Sequence, residues 1–110
     1  MSEPEEHIEF VVRVEERPDH LRVLVDGELD LYREADLRSS VDAVLADQTP
    51  ERLVLDVCGL QFLDSSGLRA LLACRDRARS AGVPLTLAVT PGPVTRLLDV
   101  AGVRDWFDYE

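Results

Sequence analysis

The heptapeptide Phe62-Leu63-Asp64-Ser65-Ser66-Gly67-Leu68 joins a run of residues typical of a strand to a run typical of a helix. The apolar residues 53–57 precede it, and the helix-like residues 68–72 continue from it. A short polar turn between a strand and a helix lies where α/β folds place their binding sites. The heptapeptide therefore indicates an α/β fold and also the position of a functional site.

The polar residues of this turn have two possible roles. Asp64, Ser65 and Ser66 are all residue types that cap the N-termini of helices. A capping box would also need Glu or Gln three residues after the cap, and neither stands there. Gly67 would cost about 1 kcal/mol relative to Ala inside a helix, so it indicates a close approach to the backbone. Two interpretations stay open: these residues only cap the helix, or one hydroxyl is functional.

The chain has the size and composition of one globular domain. Its 110 residues are 45% hydrophobic, which is enough apolar material for a core. The formal net charge is −10, and the sequence contains no lysine. We expect no nucleic-acid partner and no anionic membrane partner, since both require clustered basic residues.

The cysteines and histidines do not form a metal-site pattern. Cys58 and Cys74 belong to no Cys-x-x-Cys pair, and the histidines lie far away in the sequence, so we expect no zinc site. Cys58 ends the predicted third strand, and Cys74 lies within a predicted helix. We expect both to be buried, small apolar residues of a protein in the reducing cytoplasm.

Residues 1–7 are acidic and polar, and we expect them to form a disordered tail. They lack the apolar segment of a signal peptide. No apolar run approaches the roughly 18 residues that span a bilayer. We therefore expect a cytoplasmic domain over residues 8–110, with the acidic tail before it.

Two strands and a helix are predicted in the first half of the chain. Residues 8–15 alternate apolar and charged side chains, and residues 21–25 alternate again after a turn, as the two strands of a hairpin do. Residues 26–30 are expected to break the second strand. A helix follows and ends at residues 48–50. Its apolar face is expected to contain Leu37, Val41, Val44 and Leu45.

Strands and helices alternate in the second half. Residues 53–57 are almost continuously apolar, as expected for a central strand covered on both sides, and residues 85–89 form a fourth strand. The helix between them is expected to end near Gly82, and a third helix is expected from Pro93 to Gly102. A last short strand or packing tail is expected at 106–109. The apolar faces of these two helices comprise Leu68, Leu71, Leu72 and Ala78, and then Val94, Leu97, Leu98 and Ala101.

This order of elements predicts an α/β domain with a mixed, mostly parallel sheet. Alternating strands and helices imply right-handed crossovers between parallel strands. We expect four or five strands in the sheet and about three helices packed against it. The N-terminal strand is expected to lie antiparallel at one edge.

The sequence lacks the motifs of several enzyme classes. A hydrolase serine would need a Gly-x-Ser-x-Gly turn and a histidine base, and neither is suitably placed. A P-loop and a receiver-type phosphoacceptor aspartate would both need a lysine, and the Gly-x-Gly-x-x-Gly fingerprint of dinucleotide sites is absent. Five acidic residues near predicted strand ends could suggest a metal pocket. In so acidic a chain we interpret them as surface residues: Asp26, Glu28, Asp30, Asp56 and Asp64.

A serine that receives a phosphate fits the turn better than a serine that performs catalysis. Phosphorylation adds about −1.5 to −2 charges. The free amides and the macrodipole at a helix N-terminus favour such a group. A partner pressed against the turn would instead have to desolvate or repel the dianion. The turn therefore has the properties of a binding switch.

Four segments together resemble the STAS domain of bacterial anti-sigma factor antagonists. They are Gly27-Glu28-Leu29-Asp30, Leu55-Asp56-Val57, the heptapeptide at 62–68, and residues 94–103. The resemblance extends from about residue 8 to the C-terminus, and the combination of the first and third segments makes it specific. Arg69 is a small departure, since many relatives have a second glycine there.

The resemblance implies a cytosolic binding protein that is not an enzyme, needs no cofactor and is monomeric when free. In that family the unphosphorylated antagonist binds an anti-sigma factor, which is also a serine kinase, and so releases a sigma factor. Phosphorylation by this kinase dissociates the complex, and a serine phosphatase resets it.

By the resemblance, Ser65 is the phosphoacceptor, and Gly67 allows the partner to approach. The residues expected to contact the partner are Asp30, Asp64, Ser65, Ser66 and Gly67. The alternative within the family is a scaffold that is not phosphorylated, or a subunit of a lipid-transport complex.

Overall fold

Five strands and three α-helices make up the fold, which a computed structural model describes over residues 10–47 and 49–110. The elements in chain order are β1 (Val11–Glu16), β2 (Leu21–Leu29), α1 (Glu34–Asp47), β3 (Leu53–Leu63), α2 (Ser65–Ser80), β4 (Leu85–Ala88), α3 (Pro93–Ala101), a 3-10 helix (Arg104–Trp106) and β5 (Asp108–Tyr109). The strands form one sheet in the order β1-β2-β3-β4-β5. β1 lies at an edge and runs antiparallel to β2, whereas all other neighbours are parallel. The predicted fold class and edge strand are confirmed.

β2 and β3 both continue farther than their apolar runs predicted. The expectation that residues 26–30 break the second strand is wrong, because β2 reaches Leu29 and β3 reaches Leu63. Buried and half-buried side chains keep alternating through residues 26–28. Two register shifts against β3 accommodate this glycine-containing segment within the sheet. The extension brings the ends of both strands together at the candidate site.

The core combines alternate residues of β2 with the apolar stripes of the helices. Leu21, Val23 and Val25 of β2 are at most 4% exposed. Ala101, expected on the stripe of α3, is exposed because the helix ends there, and Val103 packs on the core beyond it. Val44, Leu72 and Leu97 are half-buried at the margin of the core. Each helix supplies predicted residues: Leu37, Val41 and Leu45 of α1; Leu68, Leu71 and Ala78 of α2; Val94 and Leu98 of α3.

The predicted ends of α2 and α3 are confirmed. Gly82 and Gly102 follow these helices with φ of 74° and 73°, a left-handed conformation that glycine adopts without steric cost. Pro93 is the first residue of α3, where its missing amide hydrogen costs nothing. The local turn chemistry therefore determines where these two helices stop.

The two cysteines have different environments. Cys74 is 1% exposed in α2, as predicted, and burial raises the pKa of its thiol to about 12. The expectation that Cys58 is buried is wrong, because β3 runs past it and leaves its side chain exposed. The amide of Cys58 donates a hydrogen bond of 3.0 Å to Asp56 Oδ1.

Some predictions concern residues outside the described part of the chain. The acidic tail at residues 1–7, the first two residues of the strand predicted at 8–15, and Gln48 after α1 lie there. Within residues 10–47 and 49–110, no helix combines the length and the apolar character needed to cross a membrane.

Candidate functional site

The turn between β3 and α2 is anchored to the end of β2. Leu29 and Leu63 are register partners in the parallel part of the sheet. The amide of Asp64 donates a hydrogen bond of 3.4 Å to the carbonyl oxygen of Leu29. Because the carboxyl ends of neighbouring parallel strands meet at one edge, the residues that follow β2 and β3 share a surface.

Asp64 is the N-cap of α2. Its backbone is extended, with φ −106° and ψ −173°, and its Oδ1 accepts a hydrogen bond of 2.8 Å from the amide of Gly67. This contact satisfies one of the amides that a helix N-terminus leaves without an intrahelical partner. The capping interpretation therefore applies to Asp64.

Ser65 is the first residue of α2, and its side chain is exposed. Its hydroxyl makes no hydrogen bond with any described residue, and the cap is supplied by Asp64 instead. A hydroxyl that neither caps nor packs is free to be modified without loss of a structural contact. The functional interpretation consequently stays open for Ser65 alone among the three polar residues of the turn.

Ser66 differs from its neighbour in burial. It is 8% exposed, and its Oγ accepts a hydrogen bond of 3.3 Å from Nη2 of Arg69. The guanidinium of Arg69 thus lies over the first turn of α2. The expected contact between Ser66 and a partner stays a prediction.

Gly67 packs directly against the chain itself. A Cβ atom at this position would overlap the carbonyl oxygen of Leu29 and would lie 2.6 Å from Cδ1 of Leu63. The close approach indicated by the sequence is therefore made by the ends of β2 and β3. Approach of a partner to Gly67 stays a prediction.

Asp30 begins the turn from β2 to α1. Its Oδ1 accepts a hydrogen bond of 3.0 Å from the amide of Tyr32, and its carbonyl accepts from the amides of Arg33 and Glu34 at 3.1 and 3.0 Å. Asp30 follows Leu29 just as Asp64 follows Leu63. The sheet register therefore places both carboxylates at the same edge.

Exposed apolar side chains lie in the segments that end or follow β2 and β3 and in α3, and sequence reasoning missed them. Leu31 is 60% exposed, Tyr32 83%, Phe62 46% and Val100 84%. Phe62 and Val100 line an open groove of about 300 Å³, together with Leu63, Pro93, Arg96 and Leu97. We call Leu31, Tyr32, Phe62, Leu97 and Val100 the apolar rim. The available signal was the pair Leu31-Tyr32, which is apolar in a segment otherwise rich in charged residues.

The acidic residues considered for a metal pocket are dispersed. Asp56 lies 2.9 Å from Nη2 of Arg22, whose guanidinium also binds both carboxylate oxygens of Glu110 at 2.8 Å. These hydrogen bonds from Arg22 lower the pKa of Glu110. Asp26 is 3.5 Å from Arg13. Within the described ranges, no group of three or more potential metal ligands converges.

Comparison with known proteins places this geometry in a family. The model of the STAS domain family matches residues 11–110. An anti-sigma F factor antagonist of Paenibacillus polymyxa is 32% identical over 92 residues, which are 84% of this chain and 79% of that protein. A STAS-domain containing protein of Pseudomonas aeruginosa is 30% identical over 87 residues, covering 79% and 84%.

A solved structure agrees with the sequence comparisons. The crystal structure of an anti-sigma factor antagonist from Mycobacterium paratuberculosis superimposes with a TM-score of 0.80 at 26% identity, covering 92% of this chain and 86% of that one. Unphosphorylated SpoIIAA, at 17% identity, shares the fold with a TM-score of 0.73 over 91% and 88%. With the family model matched from β1 to the last residue, this chain belongs to the STAS domain family.

Proposed function

We propose that this protein is an anti-sigma factor antagonist that binds an anti-sigma factor through the edge around Ser65 and is released by phosphorylation of Ser65. The Paenibacillus polymyxa relative at 32% identity and the Mycobacterium paratuberculosis structure at 26% identity carry the name of anti-sigma factor antagonist. The observation that carries the proposal is the exposed Ser65 hydroxyl, which has no hydrogen-bond partner among the described residues.

The apolar rim supports a protein partner at this edge. Four of its side chains are between 46% and 84% exposed, in a protein whose formal net charge is −10. Exposed apolar side chains next to polar residues are typical of protein interaction sites. Covering Tyr32 and Phe62 would stabilise a complex through the hydrophobic effect.

The first turn of α2 can accept a phosphate without unfolding. Ser65 lies at the positive end of the helix macrodipole, where a dianion is stabilised. Arg69 stands four residues later, on the same side of the helix, with its guanidinium already over the first turn. Both features favour a stable phosphorylated form.

The same phosphate would weaken the binding of a partner protein. Asp30 and Asp64 already place two carboxylates at this edge. A phosphate would add a charge of about −1.5 to −2. This charge would have to be desolvated beneath the partner, or it would repel the partner's acidic groups. Phosphorylation therefore weakens the complex and leaves the fold unchanged.

The first test identifies the residue that is phosphorylated. The unphosphorylated protein is used to capture an anti-sigma factor kinase from cells that contain it, and the captured kinase is incubated with ATP and with each variant. We expect one phosphate per chain, mapped to Ser65 by peptide mass spectrometry, and none on Ser65→Ala. Ser66→Ala is the matched control and should still be modified, because Ser66 is buried. A phosphate on another residue, or on no residue, would contradict the proposal.

The second test measures affinity for the captured partner. Ser65→Asp is expected to lose about 1–3 kcal/mol of binding free energy because a charge enters the interface. Ser65→Ala should keep the affinity, and the unfolding free energy of both variants should stay within about 0.5 kcal/mol of the wild type. Equal binding by wild type and Ser65→Asp would favour the alternative of an unswitched scaffold or lipid-transport subunit.

A further inference from the structure

The positive charge of this acidic protein is concentrated in α2. The helix contains four arginines and one acidic residue, Asp76, a formal charge of +3 in a chain of −10. Three of those arginines, Arg75, Arg77 and Arg79, lie in its C-terminal half, at the end opposite to Ser65. Cations near a helix C-terminus offset the macrodipole. Offsetting the macrodipole does not require these arginines to line a cavity.

The three arginines differ in how they are bound. Arg77 forms an ion pair of 2.8 Å with Asp42 of α1. Nε of Arg75 donates to the carbonyl oxygen of Trp106 at 2.5 Å, and its Nη1 to Asp76 at 3.1 Å. Arg79 makes no ion pair or side-chain hydrogen bond with the described residues and is exposed. A cation one helical turn from Arg75 is therefore available to a ligand.

Arg75 and Arg79 line a cavity of about 270 Å³ between α2 and the 3-10 helix. Its apolar lining includes Val83, Leu85 and Phe107, which are 3%, 9% and 6% exposed. These side chains belong to the core, so the cavity has a fixed apolar wall.

Trp106 forms one side of this cavity and is 52% exposed. The guanidinium of Arg75 lies 5.9 Å from the centre of its ring, a distance at which a cation is attracted to the indole face. The stacked pair holds the indole in place while leaving half of its surface open. An exposed, oriented tryptophan beside a cavity offers a flat surface for a ligand ring.

We propose that this cavity binds a small monocarboxylate with a flat apolar body. Two arginines and one acidic residue, Asp108, line it, so its formal charge is +1. A single carboxylate would neutralise that charge, with Arg79 and Nη2 of Arg75 as donors, since this Nη2 makes no hydrogen bond with the described residues. The volume lies just below the range usual for small-molecule sites, about 300–1,000 Å³, which suits one ring or a short chain. The proposal does not depend on the function of Ser65.

The test uses Trp106 as the reporter, because it is the one tryptophan of the chain. Benzoate is titrated into the full-length protein at constant ionic strength while the tryptophan emission is recorded. We expect a saturable change in emission, and we expect Arg79→Gln to weaken the apparent affinity by about tenfold or more, since it removes the charge-assisted donor. Benzamide, which is neutral, and inorganic phosphate, which lacks the flat body, should give no saturable change.

Two variants serve as controls. Arg96→Gln removes an exposed arginine that lines the groove beside Phe62 and Leu63, at the carboxyl end of β3. This variant should bind benzoate like the wild type. Ser65→Ala should also bind normally. Equal responses to benzoate and benzamide, equal affinity in Arg79→Gln, or no saturable response to benzoate in the folded wild type would each overturn the proposal.

Discussion

The turn around Ser65 and the ion-pair cluster around Arg22 use polar side chains in opposite ways. In the cluster, Arg22 is 16% exposed, binds Asp56 at 2.9 Å and binds both oxygens of Glu110 at 2.8 Å. At the turn, Ser65 is exposed and its hydroxyl makes no hydrogen bond with the described residues. Satisfied, half-buried polar groups stabilise the fold, whereas an exposed hydroxyl without a partner leaves room for another molecule.

The largest effect is expected from the residue beneath the turn. Gly67→Ala should lower the unfolding free energy by about 2–3 kcal/mol, because the added methyl group overlaps Leu29 and Leu63. Denaturant unfolding measures this change in free energy. Gly92→Ala is the matched control at the start of α3, where the nearest atom to a Cβ is the Thr90 carbonyl oxygen at 3.9 Å. It should cost less than about 1 kcal/mol. Equal costs for the two would mean that the turn is not packed as described.

The Arg22 cluster should come next. Arg22→Leu is expected to cost about 2 kcal/mol of unfolding free energy, because it leaves the carboxylates of Asp56 and Glu110 without their donor. The comparison variant Arg13→Leu removes a guanidinium that is 53% exposed and lies 3.5 Å from the carboxylates of Glu15 and Asp26. It should change the stability by less than about 0.5 kcal/mol. The contrast between turn and cluster would fail if Arg22→Leu were as well tolerated as Arg13→Leu.

A smaller loss of unfolding free energy is expected when Asp64, the N-cap next to Ser65, is replaced. Asp64→Ala should cost about 1 kcal/mol, since the amide of Gly67 loses its acceptor. Asp64→Ser keeps an acceptor oxygen and should remain close to the wild type. Thermal unfolding of both variants is the measurement, and an Asp64→Ala protein as stable as Asp64→Ser would remove the structural role assigned to the cap.

The smallest effect is a pH dependence within the Arg22 cluster. Hydrogen bonds from Arg22 lower the pKa of Glu110 in the folded protein below its ordinary value of 4.5. The stabilisation is therefore fully present above about pH 4.5 and is lost as the pH falls through the folded-state pKa. The stability difference between wild type and Glu110→Gln should shrink over that range in denaturant titrations. A difference that stayed constant down to pH 3 would rule out the ionic contribution.

Periodicity predicted the order of strands and helices because burial repeats every two residues in β2 and every three to four in α1. It failed at residues 26–30 because charged residues and a glycine resemble a turn locally, while the pairing that keeps them in the strand comes from β3. Cys58 was misplaced for the same reason, since its exposure follows from the continuation of β3.

The candidate site could be located from the sequence but not resolved into separate roles. Asp64, Ser65 and Ser66 are interchangeable as caps by residue type. Only the direction of the helix makes Asp64 the cap, leaves Ser65 outside and turns Ser66 inward. The apolar rim was missed because its members come from three separate segments, two of which line one groove.

The contact between Gly67 and the carbonyl of Leu29 also has a mechanical consequence. With no side chain between them, the start of α2 cannot tilt unless the tip of β2 moves with it. The spacing between Asp30 and Ser65 is thereby independent of the loop that begins at Leu31. Changes in the length or composition of that loop should therefore leave the position of the serine unchanged.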